Sequence, residues 1–207
     1  MGEQIKTIIF DLGGVLIDLD FKESLEAFTK AGFKNIEKRV CQFSRDGAFS
    51  QYEIGTISTE KFRDFIRSEL SQPHTDQEID DMWNKILIDI PHEKLDLILE
   101  LRKNYTVYLL SNTNELHWIY TCEHMFNYRG LTANDYFDKI FLSFKMHISK
   151  PQPEIFEEMI KETNLVPNET LFIDDSEANC NTASSFGIRT YKYRIGEDIN
   201  VIKTLLK

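Results

Sequence analysis

Cysteine is scarce in this chain: Cys41, Cys122 and Cys180 are the only 3, and they lie far apart. An odd count with no C-x-x-C pair argues against a disulfide framework and a thiolate zinc site. It fits reduced thiols in a cytoplasmic protein. Long apolar runs are missing too. The first apolar run breaks at Asp11, too soon for a signal peptide, and no stretch approaches the length of a membrane span. Basic blocks are also absent. The 24 Lys and Arg are dispersed among 34 acidic residues, giving a formal net charge of -10. A nucleic-acid surface needs clustered cations and is therefore not expected. An anionic small molecule remains possible if a metal or a local cation holds it. What the chain does have is 42 % hydrophobic and 28 % charged residues over 207 positions. That suits a packed core, in one domain or one domain carrying a smaller insert.

Five short runs read as strands: Lys6 to Phe10, Thr106 to Leu110, Lys139 to Phe144, Thr170 to Ile173 and Arg189 to Tyr193. Helical patterns separate the later ones. Leu95, Ile98 and Leu99 share one helical face. Ile155, Phe156, Met159 and Ile160 share another, opened by Pro153, whose missing N–H costs nothing in a first turn. Alternating strands and helices predict an α/β fold, a Rossmann-like parallel sheet with helices on both faces. The interval from Phe21 to Pro91 offers no strand and reads as amphipathic helices. Phe62, Phe65 and Ile66 lie on one face, and Thr75 with Glu78 forms a capping box. Such a block is too long for an ordinary crossover. The expected division is a core of residues 1–20 and 92–207 and an inserted helical cap of residues 21–91.

Parallel sheets bind ligands beyond the carboxyl ends of their strands. Asp11 follows the first predicted strand, Ser111, Asn112 and Thr113 the second, and Asp174, Asp175 and Ser176 the fourth. Singly, such residues are ordinary caps and turns; their shared edge makes them a candidate site. Carboxylates from Asp11, Asp174 and Asp175 would repel one another unless a divalent cation joined them. Mg²⁺ suits oxygen ligands and commonly bridges carboxylates to a phosphate. Gly13, without a Cβ, lets its carbonyl approach a metal, while Gly14 relaxes the next turn. The Ser111–Asn112 end is expected to open a helix whose N–H groups suit a phosphate oxygen. Lys150, between Ser149 and Pro151, is aimed by a stiff loop and could offset charge on phosphate and carboxylate.

These residues resemble the haloacid dehalogenase superfamily of aspartate-nucleophile phosphatases. The motifs run in the family's order: Asp11-Leu12-Gly13-Gly14-Val15, Leu110-Ser111-Asn112, Lys150-Pro151, then Ile173-Asp174-Asp175-Ser176 with Asn179 beyond. The position of the helical insert resembles the cap of subfamily I. Within the superfamily the chain is most similar to the sugar-phosphate phosphatases typified by alpha-D-glucose-1-phosphate phosphatase, which share the Ser111-Asn112-Thr113-Asn114 motif and a cap segment like Tyr52 to Ser58. The resemblance implies an Mg²⁺-dependent phosphatase of a small phosphorylated metabolite, a sugar phosphate. Asp11 would be the nucleophile that forms an aspartyl-phosphate. Asp11, the Gly13 carbonyl and Asp175 would hold Mg²⁺, and Asp174 would complete or orient that shell. Asn179 would hold a metal-bound water. Ser111, the Asn112 backbone and Lys150 would hold the phosphoryl group.

One position departs from the pattern. Most phosphatases of this superfamily carry an acid two residues after the nucleophile, which moves protons for the leaving group and the water. Here that residue is Gly13. Such proton transfer contributes on the order of 10²–10⁴ in rate. The departure implies a slower enzyme, one restricted to good leaving groups, or one with a substitute acid among Asp18, Asp20, His117 and Glu53. Dehalogenation would need no metal and would waste Asp174 and Asp175. A phosphomutase would need the missing proton carrier. The alternative from another class is a non-catalytic relative that binds a phosphate ligand or a protein partner.

Overall fold

The structure, a computed structural model, describes residues 4–41 and 47–206. The chain opens with β1 (Thr7–Phe10) and the two-residue β2 (Asp18–Leu19). Five helices follow: α1 (Phe21–Lys30), α2 (Ile36–Cys41), α3 (Ala48–Glu53), α4 (Thr59–Glu69) and α5 (Asp76–Asn84). Next come β3 (Leu87–Asp89), α6 (His92–Leu101), β4 (Thr106–Ser111), α7 (Glu115–His124), the single-turn α8 (Ala133–Tyr136) and β5 (Lys139–Leu142). The last part comprises α9 (Ser143–Met146), α10 (Pro153–Thr163), β6 (Thr170–Asp174), α11 (Glu177–Ser185), β7 (Arg189–Lys192) and α12 (Val201–Leu205). Among the described residues, no helix is long and apolar enough to cross a membrane.

Five strands form one sheet in the order β5-β4-β1-β6-β7, with every pairing parallel. β1 is central, and its Ile8, Ile9 and Phe10 are wholly buried. Alternation along the strand divides them between two faces. Ile8 and Phe10 join Val107, Leu109 and Leu95 on one side, and Ile9 joins Leu110, Phe156 and Phe172 on the other. Each fully buried Ile or Phe contributes about 1.5–3 kcal/mol of hydrophobic transfer. Burial on both faces fixes the register, because a one-residue slip would exchange the two sets. That register brings Asp11, Ser111, Ser143 and Asp174 to the same edge.

The helices between β2 and β3 pack around their own aromatic cluster of Phe28, Phe33, Phe49, Tyr52 and Phe62. Phe62 and Ile66 face inward as expected, and Thr75 and Glu78 exchange the two bonds of a capping box. The expectation of no strand between Phe21 and Pro91 needs correction. β3 pairs antiparallel with β2, with Asp18 opposite Asp89, and makes a short ribbon at the base of the helical block. Three residues with an exposed Ile88 carry too little periodicity to be recognised. A second correction concerns the run Lys139 to Phe144, where the strand stops at Leu142 and Ser143 begins α9. Cys122 and Cys180 are free thiols, while the side chain of Cys41 lies outside the described residues.

Candidate active site

β1 delivers Asp11 into a buried ionic cluster. Lys150 Nζ donates to Asp11 Oδ1 at 2.7 Å, to Asp174 Oδ2 at 2.7 Å and to the Leu110 carbonyl at 2.9 Å. An ammonium has three donors, so all of them are committed. Lys150 is 4 % exposed and Asp174 not at all. Burial alone would lower the Lys150 pKa, but the charges of Asp11 and Asp174 hold it above its usual value. One buried cation between two buried carboxylates leaves an excess negative charge. The Asp11 carboxyl is accordingly pushed up, first by burial and then by Asp174, against the opposing pull of Lys150.

The loop carrying Lys150 is held by a side chain rather than by the sheet. Asn112 Nδ2 donates to the Lys150 carbonyl and Asn112 Oδ1 accepts from the Lys150 N–H, both at 2.8 Å. Asp174 is fixed from its other side. Its Oδ1 accepts from the Ser176 N–H at 2.8 Å, and Asn179 Nδ2 lies 3.0 Å from both carboxylate oxygens. The Asn179 amide nitrogen therefore orients Asp174. Ser111 is buried at the end of β4. The helix expected at Ser111–Asn112 starts later, at Glu115, capped by the Asn114 side chain.

Asp175 is half-buried and forms no ion pair among the described residues. Its pKa is raised by burial and by Asp174. One carboxylate oxygen from each of Asp11, Asp174 and Asp175 lies within 4.8 Å of the others. No backbone donor among the described residues reaches the Gly13 carbonyl. Three converging carboxylates and a spare carbonyl, with one lysine between them, fit a hard divalent cation. Gly14 has φ +76°, and a Cβ there would meet Asp175 Oδ2 at 2.7 Å. Gly13 is not in that region of backbone space; a Cβ on it would meet only Leu19 Cδ1, at 3.1 Å.

Three hollows lie at or near the cluster. One of about 340 Å³ holds Asp11, Gly13, Lys150 and Asp175. A second, about 210 Å³, lies under the helical block between Gly13, Ser111, Phe49, Trp83 and Glu53. A third, about 420 Å³, is lined by Glu53, Lys150 and Gln152. Asn112 borders all three.

Three of the four candidate proton carriers are committed elsewhere. Asp20 caps α1 by accepting from the Lys22 and Glu23 N–H groups. Asp18 accepts from Lys94 Nζ at 2.9 Å. His117 is buried between Asn114 and the Trp83 carbonyl, stacked on Trp83. Burial pulls its pKa down to about 4, so it is neutral at physiological pH. Glu53 alone faces the hollows without a hydrogen bond or ion pair for its carboxyl group among the described residues.

Residues 5–187 match the family described as haloacid dehalogenase-like hydrolase. The chain is 38% identical, over 94% of its length and 94% of the relative's, to the D-ribitol-5-phosphate phosphatase of Bacteroides thetaiotaomicron. A crystal structure of a HAD family enzyme from the same organism, in complex with magnesium and inorganic phosphate, superposes with TM-score 0.92 at 48% identity, covering 96% of this chain and 98% of that one. A predicted HAD-like family hydrolase from Porphyromonas gingivalis superposes with TM-score 0.91 at 38% identity over 99% of both chains.

Proposed function

The chain belongs to the haloacid dehalogenase-like hydrolases, and from that premise we propose that it is an Mg²⁺-dependent phosphatase of a sugar or polyol phosphate. The observation that carries this reading is the buried cluster of Asp11, Lys150 and Asp174 beside the uncommitted Asp175. Such a cluster is costly unless a cation and an anionic substrate complete it. The relative that acts on D-ribitol 5-phosphate and the neighbour crystallised with magnesium and phosphate support the same reading.

Asp11 is the nucleophile. Lys150 holds Oδ1 of the carboxylate that β1 delivers for attack on phosphorus. The product is an aspartyl-phosphate, which water hydrolyses to restore the carboxylate. Asp11, the Gly13 carbonyl and Asp175 hold Mg²⁺, which neutralises charge on the transferring group. Asp174 orients Lys150. Asn112 borders the hollow that contains Asp11 and Ser111 borders the neighbouring one, and Ser111 and the Asn112 backbone receive the phosphoryl oxygens. Contact between Lys150 and phosphate requires exchange of one of its three present acceptors. Residues 21–91 act as a cap over the core of residues 1–20 and 92–207, with the β2–β3 ribbon at their junction. The non-catalytic alternative has no observation in its favour.

The test is phosphate release from a panel of sugar and polyol phosphates that includes D-ribitol 5-phosphate. Turnover is expected to require Mg²⁺ and to vanish in Asp11→Asn. Absence of turnover by the native chain on every ester, with Mg²⁺ present, would overturn the reading.

A further inference from the structure

Phosphate esters of sugars and polyols leave as alkoxides unless a proton arrives during bond cleavage. Gly13 provides no side chain for that proton. Of Asp18, Asp20, His117 and Glu53, the one left free among the described residues is Glu53, and its surroundings hold it in place.

Glu53 ends α3, and the chain around it is fastened to the core. The Tyr52 hydroxyl accepts from the Leu116 N–H of α7 at 3.1 Å. The Glu53 carbonyl lies 2.7 Å from the buried Ser143 hydroxyl, which also accepts from the Thr113 N–H beyond β4. His147 Nδ1 donates to the Ile54 carbonyl at 2.9 Å. Gly55, with φ +65°, lies so close to the Phe144 carbonyl that a Cβ would overlap it. These contacts fix the chain around Glu53 against two parts of the core, α7 and the segment from Ser143 to His147. Glu53 meanwhile lines both the hollow shared with Gly13 and Ser111 and the hollow shared with Lys150. Side chains that are unpartnered, half-buried and rigidly mounted beside a reaction centre are poor structural devices and good proton carriers.

We infer that Glu53 of the cap segment is the general acid and base of this phosphatase, replacing the side chain absent at Gly13. The inference rests on the proposed phosphatase reading. In the first step the bond from Asp11 to phosphorus forms and the ester P–O bond breaks. The Glu53 proton passes to the departing oxygen, which leaves as an alcohol. In the second step Glu53, now a carboxylate, takes a proton from water as its oxygen attacks phosphorus. The aspartyl P–O bond breaks, Asp11 is a carboxylate again, and hydrogen phosphate leaves. Protons and charge balance over the cycle.

Burial pushes the Glu53 carboxyl up to about 7, with the Lys150 charge opposing. Among the described residues, the titratable groups near it include His117 of α7, neutral at physiological pH, and His147, whose ring bonds the Ile54 carbonyl. Glu53 therefore populates both protonation states near neutrality, as the two steps require.

The experiment measures kcat/KM for p-nitrophenyl phosphate, phenyl phosphate and a polyol phosphate in the native chain and in Glu53→Gln. A general acid matters most when the leaving group is a strong base. Glu53→Gln should lose on the order of 10²-fold or more on the polyol and phenyl esters and far less on p-nitrophenyl phosphate. A loss equal on all three esters, or confined to KM for the polyol phosphate, would assign Glu53 to packing or hydroxyl recognition and overturn the inference. If Glu53→Gln does not fold, the native chain answers instead. Its dependence on leaving-group basicity should steepen between about pH 6 and about pH 8.5 as the acid form is lost. An unchanged dependence overturns the inference equally. Native chain that cleaves none of the three esters would instead sink the phosphatase reading itself.

Discussion

Gly13 and Gly14 are adjacent but are required for different reasons. Gly14 adopts a left-handed conformation and leaves room for the Asp175 carboxylate. An alanine there costs about 1–2 kcal/mol in backbone strain. More importantly, its Cβ would meet Asp175 Oδ2 at 2.7 Å and displace a carboxylate proposed to hold Mg²⁺. Gly14→Ala should therefore raise the Mg²⁺ concentration needed for half-maximal activity far more than it lowers the melting temperature. A Mg²⁺ titration beside a thermal melt checks this, and an unchanged Mg²⁺ requirement would leave Gly14 a turn residue only. Gly13 is different, because its backbone is ordinary and only the Leu19 side chain crowds its missing Cβ. Glycine there is not forced by conformation, which agrees with transfer of the proton-carrying role to another part of the chain.

At the scale of elements, the junction between the helical block and the sheet runs through Ser143. This fully buried hydroxyl joins the segment after β4, the start of α9 and the end of α3. Ser143→Ala leaves the Thr113 N–H without its partner, at a cost of about 1–3 kcal/mol. It also loosens the mount of Glu53. The expected outcome is a lower denaturation midpoint together with a loss of kcat/KM on polyol phosphates that spares p-nitrophenyl phosphate. Equal loss on both would separate the Ser143 contact from proton transfer. The central sheet strands were legible because burial on both faces makes them dense apolar runs, as in Ile8, Ile9 and Phe10, whereas the edge strand β7, Arg189–Lys192, is only half-buried. Asp11, Asp174 and Asp175 were legible because they follow those runs directly. Ser143 was not, because Ile140 to Phe144 reads as unbroken strand and conceals that β5 ends at Leu142. Applying the strand-end rule to β5 required knowing where it stopped. The anchoring of Glu53 was illegible for another reason. It depends on contacts between residues 90 positions apart, which no local pattern records.

At the scale of the whole molecule, the acidic cluster makes stability depend on the cation. Among the described residues, Asp11 and Asp174 form ion pairs only with Lys150, and burial with mutual repulsion raises the carboxyl pKa values of Asp11 and Asp175. The folded chain alone brings these ligand atoms within 4.8 Å of one another. Unfolding separates them, because Asp11 and the Asp174–Asp175 pair lie at opposite ends of the sequence. Mg²⁺ should therefore bind the native state and not the unfolded one. Such binding stabilises by about 2.7 kcal/mol when the ion stands at about 100 times its Kd. For a chain of this length each kcal/mol moves Tm by roughly 2–4 °C. Saturating Mg²⁺ should thus raise Tm by about 5–10 °C, and a chelator should reverse the rise. Asp175→Asn removes a half-buried charge that has no ion-pair partner among the described residues, so without Mg²⁺ this variant should melt no lower than the native chain. Its Mg²⁺-dependent rise should nearly disappear, because one of three carboxylates is gone. This measurement needs no substrate, so it tests the metal site separately from the chemistry. A native chain whose melt ignores Mg²⁺ would remove the cation from the cluster and leave its excess charge to be met by protons.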